Sequence, residues 1–189
     1  PFSRTDWANG SYTVLLTLRM LRAIDNALTP AFSFRMTNKK KEEVEIDLGL
    51  LYRDRRPDFF ERCHEMKTIF CECKTYGGFK DKDITQMMKV ADSFTGSMIV
   101  FSTLRENLKQ EEKEAFQKWY ADEELKKNER QPHTKLIFLT AHELLSPNHD
   151  FRMTWAALGG RHEEFSRNYS GKQELEYISQ ATYQLYVAS

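Results

Sequence analysis

Between Val44 and Leu50 the apolar residues Val44, Ile46, Leu48 and Leu50 alternate with Glu45, Asp47 and Gly49, the period of a strand with two distinct faces. A second strand is predicted at Ile69-Phe70-Cys71-Glu72-Cys73-Lys74, with Phe70, Glu72 and Lys74 on one side and Ile69, Cys71 and Cys73 on the other. Upstream, Val14, Leu15, Leu18, Leu21, Ile24 and Leu28 recur at helical spacing. They predict an amphipathic helix over 11–28 ended by Pro30, then a strand over 31–36. Asn38-Lys39-Lys40-Lys41 reads as a turn, 53–65 as a polar loop, and Gly77-Gly78 as a break. Beyond the break the pattern predicts a helix over 81–94, buried through Ile84, Met87, Met88 and Ala91. An apolar strand over 97–102, a charged helix over 109–127 and a strand over 134–140 follow. The last segment carries one more helix, 172–187, packed by Leu175, Ile178 and Leu185.

This is an α/β order, and it has a chemical consequence. If the two strands are neighbours, Asp47, Glu72 and Lys74 converge on one face. Ionised groups in an apolar sheet are costly unless they are paired or bind a cation. Two carboxylates and a backbone carbonyl, that of Cys73, make the oxygen-rich partial shell that Mg²⁺ accepts while keeping several waters. Such an ion polarises a phosphoryl oxygen and lowers the pKa of a bound water, and a partly desolvated Lys74 orients that water or stabilises growing charge. Glu-x-Lys also recurs as Glu65/Lys67, Glu111/Lys113 and Glu124/Lys126, but only Glu72/Lys74 follows an apolar strand interior. The structural alternative is a salt bridge at a strand end.

At Asp47 and Glu72-Cys73-Lys74 the chain resembles the PD-(D/E)xK nuclease superfamily, in which an Asp precedes a Glu-x-Lys on the next strand. Ile46 stands where many members have Pro, so this is the relaxed form of the motif. The runs 72–79 and 139–145 also look like bacterial restriction-type members. The resemblance spans about residues 11–141 and implies a restriction-endonuclease-like αβββαβ core, a mixed central sheet flanked by helices, with a C-terminal helical appendage over about 142–189. It implies that Asp47, Glu72 and the Cys73 carbonyl hold Mg²⁺, with Mn²⁺ as a substitute, and that Lys74 assists the water hydrolysing DNA or, less often, RNA. Gln86 is the candidate for the polar residue that members often carry on the following helix, although it lies off that helix's buried stripe. Asp25, Asn26 and Glu45 are weaker candidates for an extra polar group.

The 189 residues suit a single domain, and 40% hydrophobic with 13% aromatic residues is a globular balance. The chain opens on Pro1, which is compatible with a piece of a longer protein. It shows neither a leader pattern nor a membrane-length apolar run, so no membrane partner is expected. Three cysteines, two in one strand, predict free thiols in a reducing, cytoplasmic setting. Cys63, His64, Cys71 and Cys73 lack paired zinc-ligand spacing, and His133, His142, His149 and His162 are scattered, so structural roles are expected for all of them.

With 28 basic and 28 acidic residues there is no global field to draw in a polyanion. Phosphate contacts would fall to local clusters: Lys39, Lys40 and Lys41; Arg53, Arg55 and Arg56; Lys80 and Lys82. Taken singly, each cluster reads more readily as a solvated turn or face than as a phosphate site. Tyr76, Phe79 and Trp119 are candidates to stack on bases, against the usual role of aromatics in cores. Neutrality points to a partner or an additional recognition domain for target choice, and the cutting of two strands would suit a homodimer. Two functions follow: a Mg²⁺-dependent endonuclease acting on DNA in restriction or defence, or a non-catalytic nucleic-acid-binding or scaffolding module of the same fold.

Overall fold

The computed structural model describes residues 11–24, 28–37, 42–53, 66–169 and 174–188. Its elements run α1 (Tyr12–Leu21), β1 (Thr29–Thr37), β2 (Glu43–Arg53), β3 (Met66–Lys74), α2 (Asp81–Ser93), β4 (Met98–Thr103), α3 (Gln110–Asn128), β5 (Lys135–Leu139) and four helices, α4 (Ala141–Leu144), α5 (Phe151–Leu158), α6 (Gly160–Asn168) and α7 (Glu174–Tyr186). The strands form one mixed sheet in the order β1-β2-β3-β4-β5. β2 runs antiparallel to both of its neighbours, β1 and β3, whereas β3, β4 and β5 run parallel.

The strands differ as their places in the sheet require. β4 has neighbours on both sides and is buried at every residue, which explains its unbroken apolar run. β1 is an edge strand with alternating and mostly exposed residues. That position explains the first departure from the sequence reading. The first helix ends at Leu21, not at Pro30, and Pro30 lies inside β1 opposite Leu50. A proline has no N–H for a ladder, and an edge strand leaves room for that loss. The inward face of α1 also differs, because Leu15 is 49% exposed while Thr13 and Thr17 are fully buried. On α2, Met88 is exposed, and Asp83 and Val90 complete the stripe of Ile84, Met87 and Ala91.

The core lies on both sides of the central strands. On the side of α2 and α3, Phe101 meets Phe79, Phe116, Trp119 and Phe138 at ring distances of 4.6 to 6.2 Å. Phe79 and Trp119 are therefore core residues, and the expectation that they stack on bases is corrected. On the opposite side α1 packs by hydroxyls. Thr17 Oγ1 lies 2.7 Å from Ser102 Oγ, Ser102 Oγ lies 3.1 Å from Cys73 Sγ, and Thr13 Oγ1 lies 3.0 Å from Thr75 Oγ1. This belt holds Cys73 and Thr75, the neighbours of Lys74, from behind.

Past β5 the sequence predicts one helix, and the described residues form four. Glu143, fully buried, ties them together. Its carboxylate accepts from the Thr140 N–H at 3.0 Å, from Trp155 Nε1 at 2.9 Å and from the Tyr186 hydroxyl. Side chains of α7 also close the outer edge of β5: Ser179 Oγ donates to the Leu136 carbonyl at 2.7 Å and Phe138 N–H donates to Thr182 Oγ1 at 3.2 Å. An open edge would otherwise present unpaired backbone groups. Leu175, Ile178 and Leu185 pack as expected, in the same core as the sheet. Among the described residues no helix is long and apolar enough to cross a membrane.

Candidate functional site

The β2–β3 ladder runs from Arg53↔Met66 to Leu48↔Cys71 and ends there. Asp47, the next residue on β2, has no partner in either of its ladders, and on the β1 side Ser33, which it would face, has a φ of +42°. A left-handed serine is strained backbone, and it marks the point where the pairing opens. The N–H of Cys73 donates instead to Asp47 Oδ2 at 2.7 Å. Within a strand a residue's N–H and C=O lie on the same edge. The Lys74 carbonyl accepts from Leu104 N–H on the β4 side, so both main-chain groups of Cys73 face β2 and Asp47.

Glu72 and Lys74 share the other face of β3 with Phe70, toward α2. Lys74 Nζ lies 2.6 Å from Glu72 Oε1 and 3.4 Å from Asp83 Oδ1. Asp83, in the first turn of α2, accepts the Lys80 N–H at 2.9 Å with its other oxygen. Sequence reasoning passed over Asp83. Its place in the first turn of a predicted helix is visible in the sequence, but that pattern marks a helix start and not a neighbour of Lys74. Glu72 and Asp83 are buried, while Asp47 and Lys74 are half-buried. Two of the three carboxylates thus lie inside a structure that supplies one ammonium.

The electrostatics follow from that imbalance. Burial, and then the charge of Asp47, push the Glu72 carboxyl up to about 7 against the opposing pull of Lys74. Burial also raises Asp47, although the Cys73 N–H and Lys74 act the other way. For Lys74 burial would lower the value, but the hydrogen bond to Glu72 and the three surrounding acids outweigh it and hold the ammonium above its ordinary range. Fully ionised, the cluster carries an excess of two negative charges, the complement of a divalent cation. Its donor set is made of oxygens, which suits Mg²⁺. Among the described residues no group of three or more His, Cys, Asp and Glu side chains is arranged as a metal cage. Any ion would therefore rest on two carboxylates, a main-chain carbonyl and water.

The comparisons add little to this geometry. No protein-family model and no curated protein matches the chain. Among solved structures it is similar to the crystal structure of a protein of unknown function, AF1548, at 14% identity and a TM-score of 0.42, over 92% of this chain and 97% of that one. A likeness at that level carries no functional argument.

The remaining expected site residues are scattered. Gln86 Nε2 donates to the Glu45 carbonyl at 2.7 Å, binding α2 to β2 two residues before Asp47. It is not brought to Glu72 or Lys74. Lys80 and Lys82 are exposed at the start of α2, beside Asp83. Lys39, Lys40, Lys41, Arg55 and Arg56 lie outside the described residues, as do Asp25, Asn26, Cys63, His64 and the side chain of Arg53. Cys71 and Cys73 are free, buried thiols, and burial pushes Cys73 up to about 12.

Tyr76 is 79% exposed in the loop after Lys74. That loop is anchored by Glu112, whose carboxylate accepts the Phe79 N–H at 2.5 Å and pairs with Arg105 at 2.7 Å. A Cβ on Gly78 would stand 2.8 Å from Glu112 Oε1, so the close approach requires glycine. Cavities among the described residues lie elsewhere, including a groove of about 460 Å³ lined by Leu15, Leu18, Arg19, Arg22, Ala23 and His149 and a cleft of about 100 Å³ between α3 and α7. Neither includes any of the four charged residues.

Proposed function

We propose that this chain is a Mg²⁺-dependent nuclease of the restriction-endonuclease-like fold, acting on DNA in preference to RNA, in restriction or defence within the cytoplasm. The observation that carries this reading is the gathering of Asp47, Glu72 and Lys74 around the point where the β2–β3 ladder opens. The element order, one helix, three antiparallel strands, a helix and a parallel strand, is compatible with it. Asp47, Glu72 and the Cys73 carbonyl would hold the ion, with Mn²⁺ as a substitute. The bound ion would supply a polarised phosphoryl oxygen and a more acidic water. Lys74 contributes a positive charge beside the reacting phosphate, and Lys80 and Lys82 at the start of α2 offer further phosphate contacts. Tyr76 presents an exposed ring for a splayed base.

A second reading, a non-catalytic binding or scaffolding module, is favoured by one feature: Glu72 already spends an oxygen on Lys74, as an ordinary ion pair would. Plasmid cleavage separates the two. With Mg²⁺ or Mn²⁺ the wild-type protein should nick or linearise the plasmid, EDTA should stop it, and Lys74→Ala should abolish it. Equal inactivity of wild type and variant under all three conditions would favour the scaffold.

A further inference from the structure

We infer that Asp83 is a positioning residue for Lys74, the group that keeps the ammonium at the acids once a cation draws Glu72 away. The inference rests on the nuclease reading and adds a fourth side chain to its site. Lys74 Nζ has two partners on different elements, Glu72 on its own strand at 2.6 Å and Asp83 on α2 at 3.4 Å. The nearer partner is also a proposed metal ligand. An ion held by Glu72 would engage its carboxylate and repel the ammonium, so the contact at 2.6 Å is the one that metal loading weakens.

Asp83 is placed to survive that change. Its carboxylate is fixed by the Lys80 N–H at 2.9 Å and is 6% exposed, so it cannot swing toward solvent without giving up the helix cap. The cap itself needs only an acceptor oxygen, which asparagine provides equally well. The capping hydrogen bond therefore does not need the negative charge, which beyond its modest attraction to the helix N-terminus is directed at Lys74.

The test separates charge from cap. In metal-free protein, Glu72→Gln removes the charge that a bound ion would occupy, and hydrogen exchange of the Lys74 ammonium is followed by nitrogen-15 NMR. The ammonium should remain slowly exchanging in Glu72→Gln and exchange about tenfold faster or more in Glu72→Gln/Asp83→Asn, with both variants still folded by circular dichroism. Equal exchange in the two variants would overturn the assignment. In the cleavage assay, Asp83→Asn should lower kcat about tenfold or more while KM for DNA stays within about twofold, the pattern of a group that serves the chemical step. A kcat equal to wild type would also overturn it. If wild-type protein shows no Mg²⁺-dependent cleavage, the nuclease reading fails, and the exchange comparison, which needs neither metal nor turnover, still decides the role of Asp83.

Discussion

Replacing Glu72 by Gln should make the metal-free protein more stable at alkaline pH, although it removes an ion pair. The Glu72 carboxyl has an ordinary value of 4.5 and is raised to about 7 in the folded chain, by burial first and by Asp47 second. A carboxyl raised on folding holds its proton more tightly in the folded state, so its stabilising contribution is complete below 4.5 and is lost as pH climbs through 7. Across that window the wild-type protein forfeits about 3 kcal/mol by pH 8, and glutamine, which cannot ionise, forfeits none of it. Lys74 adds no slope here, because its value is raised from 10.5 and it is protonated in both states below that. Urea unfolding in EDTA should therefore show Glu72→Gln ahead of wild type by about 3 kcal/mol at pH 8 and by less than about 1 kcal/mol at pH 5. Mg²⁺ should reverse the order at pH 8 by binding only wild type, adding about 4.1 kcal/mol at a thousandfold excess over Kd against the deficit of about 3. A variant less stable than wild type at pH 8 without metal would refute the argument that Glu72 is held at a cost.

Three other outcomes follow from neighbouring contacts. Glu112→Ala leaves Arg105 without its carboxylate and the Phe79 N–H without an acceptor; urea unfolding should show a loss of about 3 to 5 kcal/mol. Phe101→Ala opens the centre of the aromatic cluster shared with Phe116, Trp119 and Phe138, and the same assay should read about 3 to 5 kcal/mol. Tyr76→Ala, at a side chain 79% exposed, should leave the thermal midpoint unchanged but weaken binding of single-stranded DNA by about 1 to 3 kcal/mol in fluorescence anisotropy.

Period-2 alternation made β2 and the Glu72 strand legible, because each has two faces of opposite character and a one-residue slip would exchange them. Alternation alone puts Glu72 and Lys74 on one face, and the β2–β3 register adds Asp47 to it. Asp83 is not legible in this way, because its role depends on the angle at which α2 crosses the sheet, and local pattern carries no such information. The inward face of α1 was misread for a related reason. Apolar counting favours Leu15, whereas burial goes to Thr13 and Thr17, which find hydroxyl partners on β4 and the Thr75 loop. Between 141 and 168 the helices are short, and Glu143 binds them through Trp155 and Tyr186, contacts separated by 12 and 43 residues in sequence. No local window contains such contacts. The break in the ladder at Asp47 was equally hidden, since an opened register leaves the alternation of side chains intact.

Binding of Mn²⁺, followed by electron paramagnetic resonance, tests the divalent site most directly. Wild-type protein should take up the ion, and Asp47→Asn and Glu72→Gln should each lose it while remaining folded. Uptake that both substitutions leave untouched, or no uptake by wild type, would contradict the assignment of Asp47 and Glu72 as its ligands.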